Sequence, residues 1–327
     1  MEYRQLGKTD LTLSTIAYGA FAIGGSMWGG NEKKDSIDSV KASIDHGVTT
    51  LDTAPFYGFG LSEEMIGEAI QGYDRTNIQL LTKFGLIWDG SNQGKGEFFF
   101  NAEEGNKTIP VYKYSSKTSV IREVENSLKR LRTDYIDLLQ IHWPDSTTAI
   151  SETMEALDIL LQQGKIRAAG VSNYGVEQVA EARRTIDIAS NQVGYSMLNR
   201  GIEQHLVPYA QMNDLGILVY SPMERGLLTG KYFNKGRLKE DDHRNGYFQQ
   251  FDLSKVKAFL DTISPIAENK GVTLSQLVLR WTSLQPAITV VLAGARNADQ
   301  AIANAQAIDI VLTTEEMALI NLALTKI

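Results

Sequence analysis

The chain has 327 residues, 43% of them hydrophobic and 22% charged, with a formal net charge of −7 and no cysteine. Disulfides, thiolate catalysis and cysteine-based zinc sites are therefore excluded. Acidic and basic residues are mixed along the chain, so nothing favours nucleic acid or an anionic membrane surface as a partner. The start, Met1 to Leu6, lacks the basic and apolar regions of a signal peptide. No apolar run approaches the length of a membrane span, and a cytoplasmic protein is expected. The sequon Asn106-Lys107-Thr108 is then read as chance.

Taken in chain order, Tyr3–Leu6 and Leu11–Leu13 flank Gly7-Lys8-Thr9-Asp10 and predict an opening hairpin. Short runs rich in β-branched residues then alternate with stretches of helical period. Strands are predicted at Thr15–Tyr18, Thr49–Leu51, Ile78–Thr82, Tyr135–Ile141, Ile166–Val171, Ile188–Gln192, Ile217–Tyr220 and Ile288–Val291. A closed (β/α)8 barrel, the TIM barrel, needs eight strands of this kind. Between them, Ser119–Leu131 sets Ile121, Val124, Leu128 and Leu131 on one stripe, with Ser119 as expected N-cap. Ser151–Leu161 repeats the pattern, and Gly164 marks its end. Alternation of this kind predicts parallel strands joined by right-handed crossovers.

Two connections are too long for turns, 84–118 and 231–253, and both are rich in aromatic residues. They are read as long functional loops on the C-terminal face of the barrel, where such folds place their chemistry. No internal repeat or linker interrupts the chain, which reads as one domain over 1–327.

The chemistry-bearing residues sit at predicted strand ends. Asp52 and Tyr57 share the loop Asp52-Thr53-Ala54-Pro55-Phe56-Tyr57-Gly58. Lys83 follows the third predicted barrel strand and His142 the fourth. Taken singly, each has a bland explanation: a packed tyrosine, a satisfied core histidine, an aspartate capping a turn. A lysine behind an apolar run is harder to dismiss, because burying its charge is costly unless it is paired. Together the four suit a phenol tuned to hand a proton to a carbonyl oxygen. A free phenol titrates near about 10, and a held cation is expected to lower that value. Asp52 would keep Lys83 charged and aimed. His142 would orient the carbonyl or share the proton relay.

These residues lie in longer ordered motifs. Leu51 to Gly58 is followed by Gly60-Leu61-Ser62-Glu63. Leu128-Lys129-Arg130-Leu131 leads to Asp134-Tyr135-Ile136-Asp137-Leu138 and Ile141-His142. Then come Gly164 to Asn173, Tyr220-Ser221-Pro222 and Gly226 to Lys231. Over nearly its whole length the chain resembles the aldo-keto reductase superfamily, of the bacterial general-oxidoreductase type. The resemblance implies the barrel, a nicotinamide cofactor and Asp52, Tyr57, Lys83 and His142 as a catalytic tetrad.

A Rossmann fingerprint is absent: Gly19 to Gly25 lacks its spacing and the later ribose carboxylate. Gly24, Gly25, Gly29 and Gly30 are read instead as allowing close approach of a loop. The resemblance implies that Ser172, Asn173 and Gln192 meet the nicotinamide carboxamide and that Tyr220 stacks on the ring. Ser221, Pro222, Met223, Arg225, Leu227 and Lys231 would follow the pyrophosphate. Gly294 and Arg296 precede a predicted helix, where an anion is favoured. By family position Arg296 faces a 2′-phosphate, implying NADP(H), with Gln300 and Asn304 at the adenine. Met223-Glu224-Arg225 and Ala303 depart from residues often found at those places.

The implied reaction is NADPH-dependent reduction of aldehydes or ketones to alcohols. The partner is a small carbonyl or sugar substrate, held among Phe21, Trp28, Phe56, Trp88 and Trp143. No metal is signalled; Asp241-Asp242-His243 reads as a solvated loop. Three other readings stand beside this one. They are sugar or polyol oxidation on the same tetrad, a cofactor-binding regulatory subunit, and a Schiff-base aldolase using Lys83.

Overall fold

The computed structural model describes residues 1–25, 32–105, 107–234, 242 and 244–327. Trp28, Gly29, Gly30, Asn106, Asp241 and His243 lie outside the described residues.

The chain opens with an antiparallel hairpin, β1 (Tyr3–Gln5) against β2 (Thr12–Ser14). The strands that follow are β3 (Ile16–Gly19), β4 (Thr50–Asp52), β5 (Gln79–Phe84), β6 (Leu86–Ile87), β7 (Glu97–Glu104) and β8 (Lys107–Lys113). After them come β9 (Ile136–Ile141), β10 (Ile166–Ser172), β11 (Ser190–Gly194), β12 (Gly216–Tyr220) and β13 (Ile288–Ala293). Strands β3, β4, β5 and β9 to β13 form a closed eight-stranded parallel barrel. Val291 beside Ile16 and Leu292 beside Ala17 close the ring. Every residue of β9 and of β13 is buried. Both faces of a barrel strand are covered, so β13 reads as a mainly apolar run, while β9 buries Asp137 and Gln140 among its apolar residues. All eight predicted strands are present, with ends displaced by a residue or two.

Two cores follow from this closure. Outside the ring, helices pack their apolar stripes on the strands; Val124 and Leu128 of the Lys117–Leu131 helix belong to this layer. Inside it, Leu81, Leu138, Leu218 and Val290 pack with Leu6, Leu11 and Leu13 of the hairpin. Leu6 reaches Gly216 at the start of β12, where an added Cβ would come within 2.5 Å of its Cδ1. The hairpin thus covers the N-terminal end of the barrel and leaves the other end for a site.

Three sequence expectations need correction. The helix expected from Ser119 begins at Lys117, with Ser116 in the N-cap position. Ser119 is buried inside it and donates to Glu123 at 3.2 Å. The connection 84–118 is not an irregular loop. It holds a three-stranded antiparallel sheet with β8 between β6 and β7. The connection 231–253 contains short helices at Lys231–Asn234 and Arg244–Phe248. The helix expected at Ser151–Leu161 runs Ile150–Gln162, and Gly164 beyond it has φ +68°. Among the described residues, no helix is long and apolar enough to cross a membrane.

Candidate active site

Parallel register brings the strand ends together. Asp52 ends β4 beside Leu81 of β5, and Lys83 of β5 lies beside Gln140 of β9. His142 follows β9, its N–H donating to the Phe84 carbonyl at 2.9 Å. Lys83 Nζ donates to Asp52 Oδ1 at 2.6 Å and to the Thr53 carbonyl at 2.9 Å. Lys83 is 1% exposed and Asp52 2%. An ammonium this deep is tolerable because carboxylate and carbonyl replace lost water. Its Nζ lies 5.0 Å from the centre of the Tyr57 ring. His142 meets the same ring edge-on at 5.7 Å.

Electrostatics follow from this packing. Burial pushes the Tyr57 phenol up; Lys83 pulls it down, while Asp52 pushes it up again. The balance is a raised value, so the expected lowering is corrected. Asp52 screens part of the cation's effect, and desolvation outweighs the rest. Burial alone would pull the Lys83 ammonium down, but Asp52 and Tyr57 hold it above the usual lysine range. Burial, and then Lys83, hold His142 well below the ordinary histidine range. The imidazole is therefore neutral at neutral pH. It can donate or accept one hydrogen bond there, but it is a poor source of protons.

Glycine sets the position of Tyr57. Gly58 has φ +62°, and a Cβ there would lie 1.9 Å from the Gly24 carbonyl oxygen. The turn Ala20–Gly24 and the Tyr57 loop thus touch backbone to backbone. Gly58→Ala is expected to destabilise the fold by about 1–3 kcal/mol through strain at this contact. It should also lower turnover more than cofactor binding, because Tyr57 moves with the loop. Denaturant melts and cofactor titrations measure the two losses.

Ion pairs on buried carboxylates brace the motifs around the site. Glu63 accepts from Arg130 Nε and from Thr82 Oγ1, each at 2.6 Å. Asp137 binds Arg75 at 2.8 Å and Arg167 at 2.9 Å. Thr82 is the neighbour of Lys83, so the first cluster fixes the strand that carries the cation.

Ser172, Asn173, Gln192 and the 220–231 segment lie in or just beyond β10, β11 and β12, neighbouring strands of the barrel. Asn173, Ser221, Glu224 and Arg225 all have φ between +46° and +61°, costly backbone that clusters at functional sites. Ser172 Oγ donates to the Gln192 carbonyl at 2.7 Å. Asn173 Nδ2 donates to the His142 carbonyl at 3.1 Å, and its Oδ1 accepts from the Tyr220 hydroxyl at 2.9 Å. Gln192 does not face the mouth alone; its Nε2 donates to Asp52 Oδ2 at 2.8 Å. The Ser221 carbonyl and the Met223 carbonyl, either side of Pro222, accept from the next turn. Leu227 is fully buried in the outer core, so only its backbone is available to a ligand. Lys231 is exposed at the start of its helix.

The departure at 223–225 acquires a physical account. Glu224 is buried and accepts from the Ser196 and Tyr247 hydroxyls. The Arg225 guanidinium stacks 3.9 Å from the Tyr247 ring centre. This pair holds the segment after β12 against the Arg244–Phe248 helix. After β13, the barrel neighbour of β12, Asn297 caps the Ala298–Gln306 helix, accepting from the Gln300 N–H at 3.0 Å. Gln300 Oε1 accepts from the Arg296 N–H at 3.0 Å, and Asn304 Nδ2 donates to the Gly294 carbonyl at 3.1 Å. Arg296 is exposed beside this helix start.

Aromatic side chains form the opposite wall. Phe21 packs on Tyr57 at 4.9 Å. Phe56 meets Trp88 at 6.0 Å and Phe100 at 5.5 Å. Phe99 touches Phe100 at 5.0 Å and Trp143 at 5.3 Å. The neighbours of Tyr57 and His142 are thus bridged by two phenylalanines of β7, which the sequence reading did not place in the pocket. Their hairpin is tied down: Glu97 pairs with Lys113 at 2.7 Å and accepts from Ser146 Oγ at 2.6 Å. The signal was present in the β-branched run Thr108-Ile109-Pro110-Val111 beyond Gly105-Asn106, a hairpin pattern. Among the described residues, no group of histidine, aspartate and glutamate is arranged to hold a metal.

Comparison with known proteins matches this architecture. "Aldo-keto reductase YhdN" of Bacillus subtilis (strain 168) is 37% identical, over 98% of this chain and 93% of its own length. The "NADH-specific methylglyoxal reductase" of Escherichia coli (strain K12) is 33% identical, over 97% of this chain and 96% of its own. The structure of the glycerol dehydrogenase AKR11B4 from Gluconobacter oxydans superposes with a TM-score of 0.87 at 35% identity, over 99% and 95% of the two chains. The Aldo/keto reductase family description matches residues 15–324. The chain belongs to the Aldo/keto reductase family.

Proposed function

We propose that the chain reduces aldehydes and ketones to alcohols with NADPH, Tyr57 acting as the proton donor. The observation that carries this reading is the buried Lys83–Asp52 pair, with its ammonium 5.0 Å from the Tyr57 ring centre. The residues present fit a nicotinamide dinucleotide. The segments after β10 and β12 offer the half-buried Tyr220 ring and the turns of Asn173, Ser221 and Arg225; the segment after the neighbouring β13 offers Arg296 and the start of a nine-residue helix. When bound, the dinucleotide supplies the hydride.

The remaining work belongs to the chain. Tyr57 gives its proton to the carbonyl oxygen as negative charge develops there. Lys83 stays protonated beneath it and stabilises the phenolate left behind. Neutral His142 donates an N–H to the same oxygen and fixes its direction. Asp52 keeps Lys83 aimed. The aromatic wall excludes water and holds the apolar body of the substrate, which favours carbonyls with aryl or bulky apolar groups.

The test is NADPH and NADH consumption across aldehydes, ketones, aldoses and pyridoxal, run in both directions. Turnover only with polyols and the oxidised cofactor would favour the dehydrogenase reading. Tight cofactor retention with no turnover on any member would favour a regulatory subunit. Cofactor choice has its own test, since one relative is NADH-specific by name. Arg296→Ala should raise the NADPH dissociation constant about 10- to 100-fold, the worth of one charge-assisted phosphate contact. It should leave NADH nearly unchanged. Equal effects on both would remove Arg296 from the 2′-phosphate.

A further inference from the structure

Asp52 has two carboxylate oxygens, and Lys83 takes only one. Lys83 Nζ donates to Oδ1 at 2.6 Å. Oδ2 accepts from Gln192 Nε2 at 2.8 Å and, at a weaker 3.5 Å, from Gln140 Nε2. All four side chains are buried. Gln192 is fixed from below: its carbonyl accepts from Ser172 Oγ at 2.7 Å and from the Asn173 N–H at 3.0 Å. Gln140 is less constrained, since its Oε1 has no hydrogen-bond partner among the described residues. The titratable groups around Tyr57 are Asp52, Lys83, His142 and Tyr220. Gln192 is the neutral group that grips one of them.

We propose that Gln192 is a positioning residue for the proton donor, its amide holding the far oxygen of Asp52 and so setting how much carboxylate charge Lys83 and Tyr57 feel. The inference rests on the reading of Tyr57 as that donor. Asp52 acts on Tyr57 in two opposed ways. Its charge disfavours the phenolate directly, yet it also holds the ammonium that favours the phenolate. A donor on Oδ2 draws negative charge to the side away from Lys83. Without it, Asp52 neutralises Lys83 more completely and bears harder on the phenol. The phenolate then becomes harder to form. The same residue anchors Ser172 and Asn173, so the expected carboxamide contacts and the tetrad meet at one strand end.

The test uses alcohol oxidation with the oxidised cofactor, which needs Tyr57 as phenolate and so has an acid limb in kcat/KM. Gln192→Leu should move that limb upward by about half a unit to one unit, the scale of a lost charge-assisted hydrogen bond. At a fixed pH below the limb, oxidation should fall roughly three- to tenfold. Gln192→Asn, whose shorter amide cannot span to Oδ2, should shift it the same way and guards against misfolding of the leucine variant. Gln140→Leu should shift it far less. Cofactor affinity is read separately by quenching of intrinsic fluorescence. A weaker cofactor with an unmoved limb would confine Gln192 to carboxamide binding and overturn the proposal. Equal shifts from Gln140→Leu would overturn it too. An unmodified protein that turns over no alcohol or carbonyl counts against the functional reading itself, a different failure from an intact limb that Gln192→Leu leaves in place.

Discussion

Tyr57→Phe should lower kcat for carbonyl reduction by about 10²–10⁴-fold, the range that a positioned general acid supplies. The ring stays, with its contacts to Phe21 at 4.9 Å and His142 at 5.7 Å. Cofactor affinity and melting temperature should therefore hold. Only the hydroxyl is lost, and neutral His142 cannot replace it, because burial and Lys83 keep its imidazole unprotonated. The pH profile carries a second signature. The phenol is raised above the usual tyrosine range, so it remains protonated through neutrality and reduction should stay flat there. The rate should fall only as alkaline pH removes the proton, and that limb should vanish in Tyr57→Phe. Single-turnover kinetics separate this from product release. If cofactor binding and turnover drop together, the phenol serves binding and another group delivers the proton.

The barrel was legible because its physics is local and repetitive. Ile136–Ile141 and Ile288–Ala293 are buried on both faces, which leaves mainly apolar runs in the sequence, broken by Asp137, Gln140 and Thr289. The site was legible for a related reason: strand ends are fixed once strands are, and Asp52 ends β4, Lys83 is the last residue but one of β5 and His142 directly follows β9. What stayed hidden depends on contacts far apart in the chain. Glu97, Phe99 and Phe100 look like loop residues, because Gly94 and Gly96 stand just before them and pairing with β8 carries a bulge between Phe98 and Phe100. Ser119 looked like a cap because its type suits one; Ser116 is equally suited, and tertiary packing chose the longer helix. The direction of the Tyr57 shift could not be read at all. It depends on how deeply the phenol is buried and how closely Asp52 covers Lys83, neither of which spacing encodes.

Lys83→Met should both silence the chain and loosen it. Lys83 Nζ and Asp52 Oδ1 are 2.6 Å apart, with the residues 1% and 2% exposed. Removing the cation leaves a carboxylate in a dry site with Gln192 as its near donor. Breaking a buried pair from one side typically costs about 3–5 kcal/mol. For a chain of this length that lowers the melting temperature by roughly 4–7 °C. Pairing the change with Asp52→Asn removes the stranded charge and should restore most of the stability, since the amide can still accept from Gln192. It should not restore turnover, because no cation remains to stabilise the Tyr57 phenolate. The alkaline side gives an independent check. Lys83 is held above its ordinary value, so its contribution is complete below the unfolded lysine value of about 10.4. It is lost as pH rises through the higher folded value. The wild-type chain should therefore lose stability at alkaline pH by an amount absent from the double variant. A double variant that stays as unstable as Lys83→Met would mean the methionine fits badly and the charge was not the cause. One that regains carbonyl reduction would show that the phenol works without its lysine.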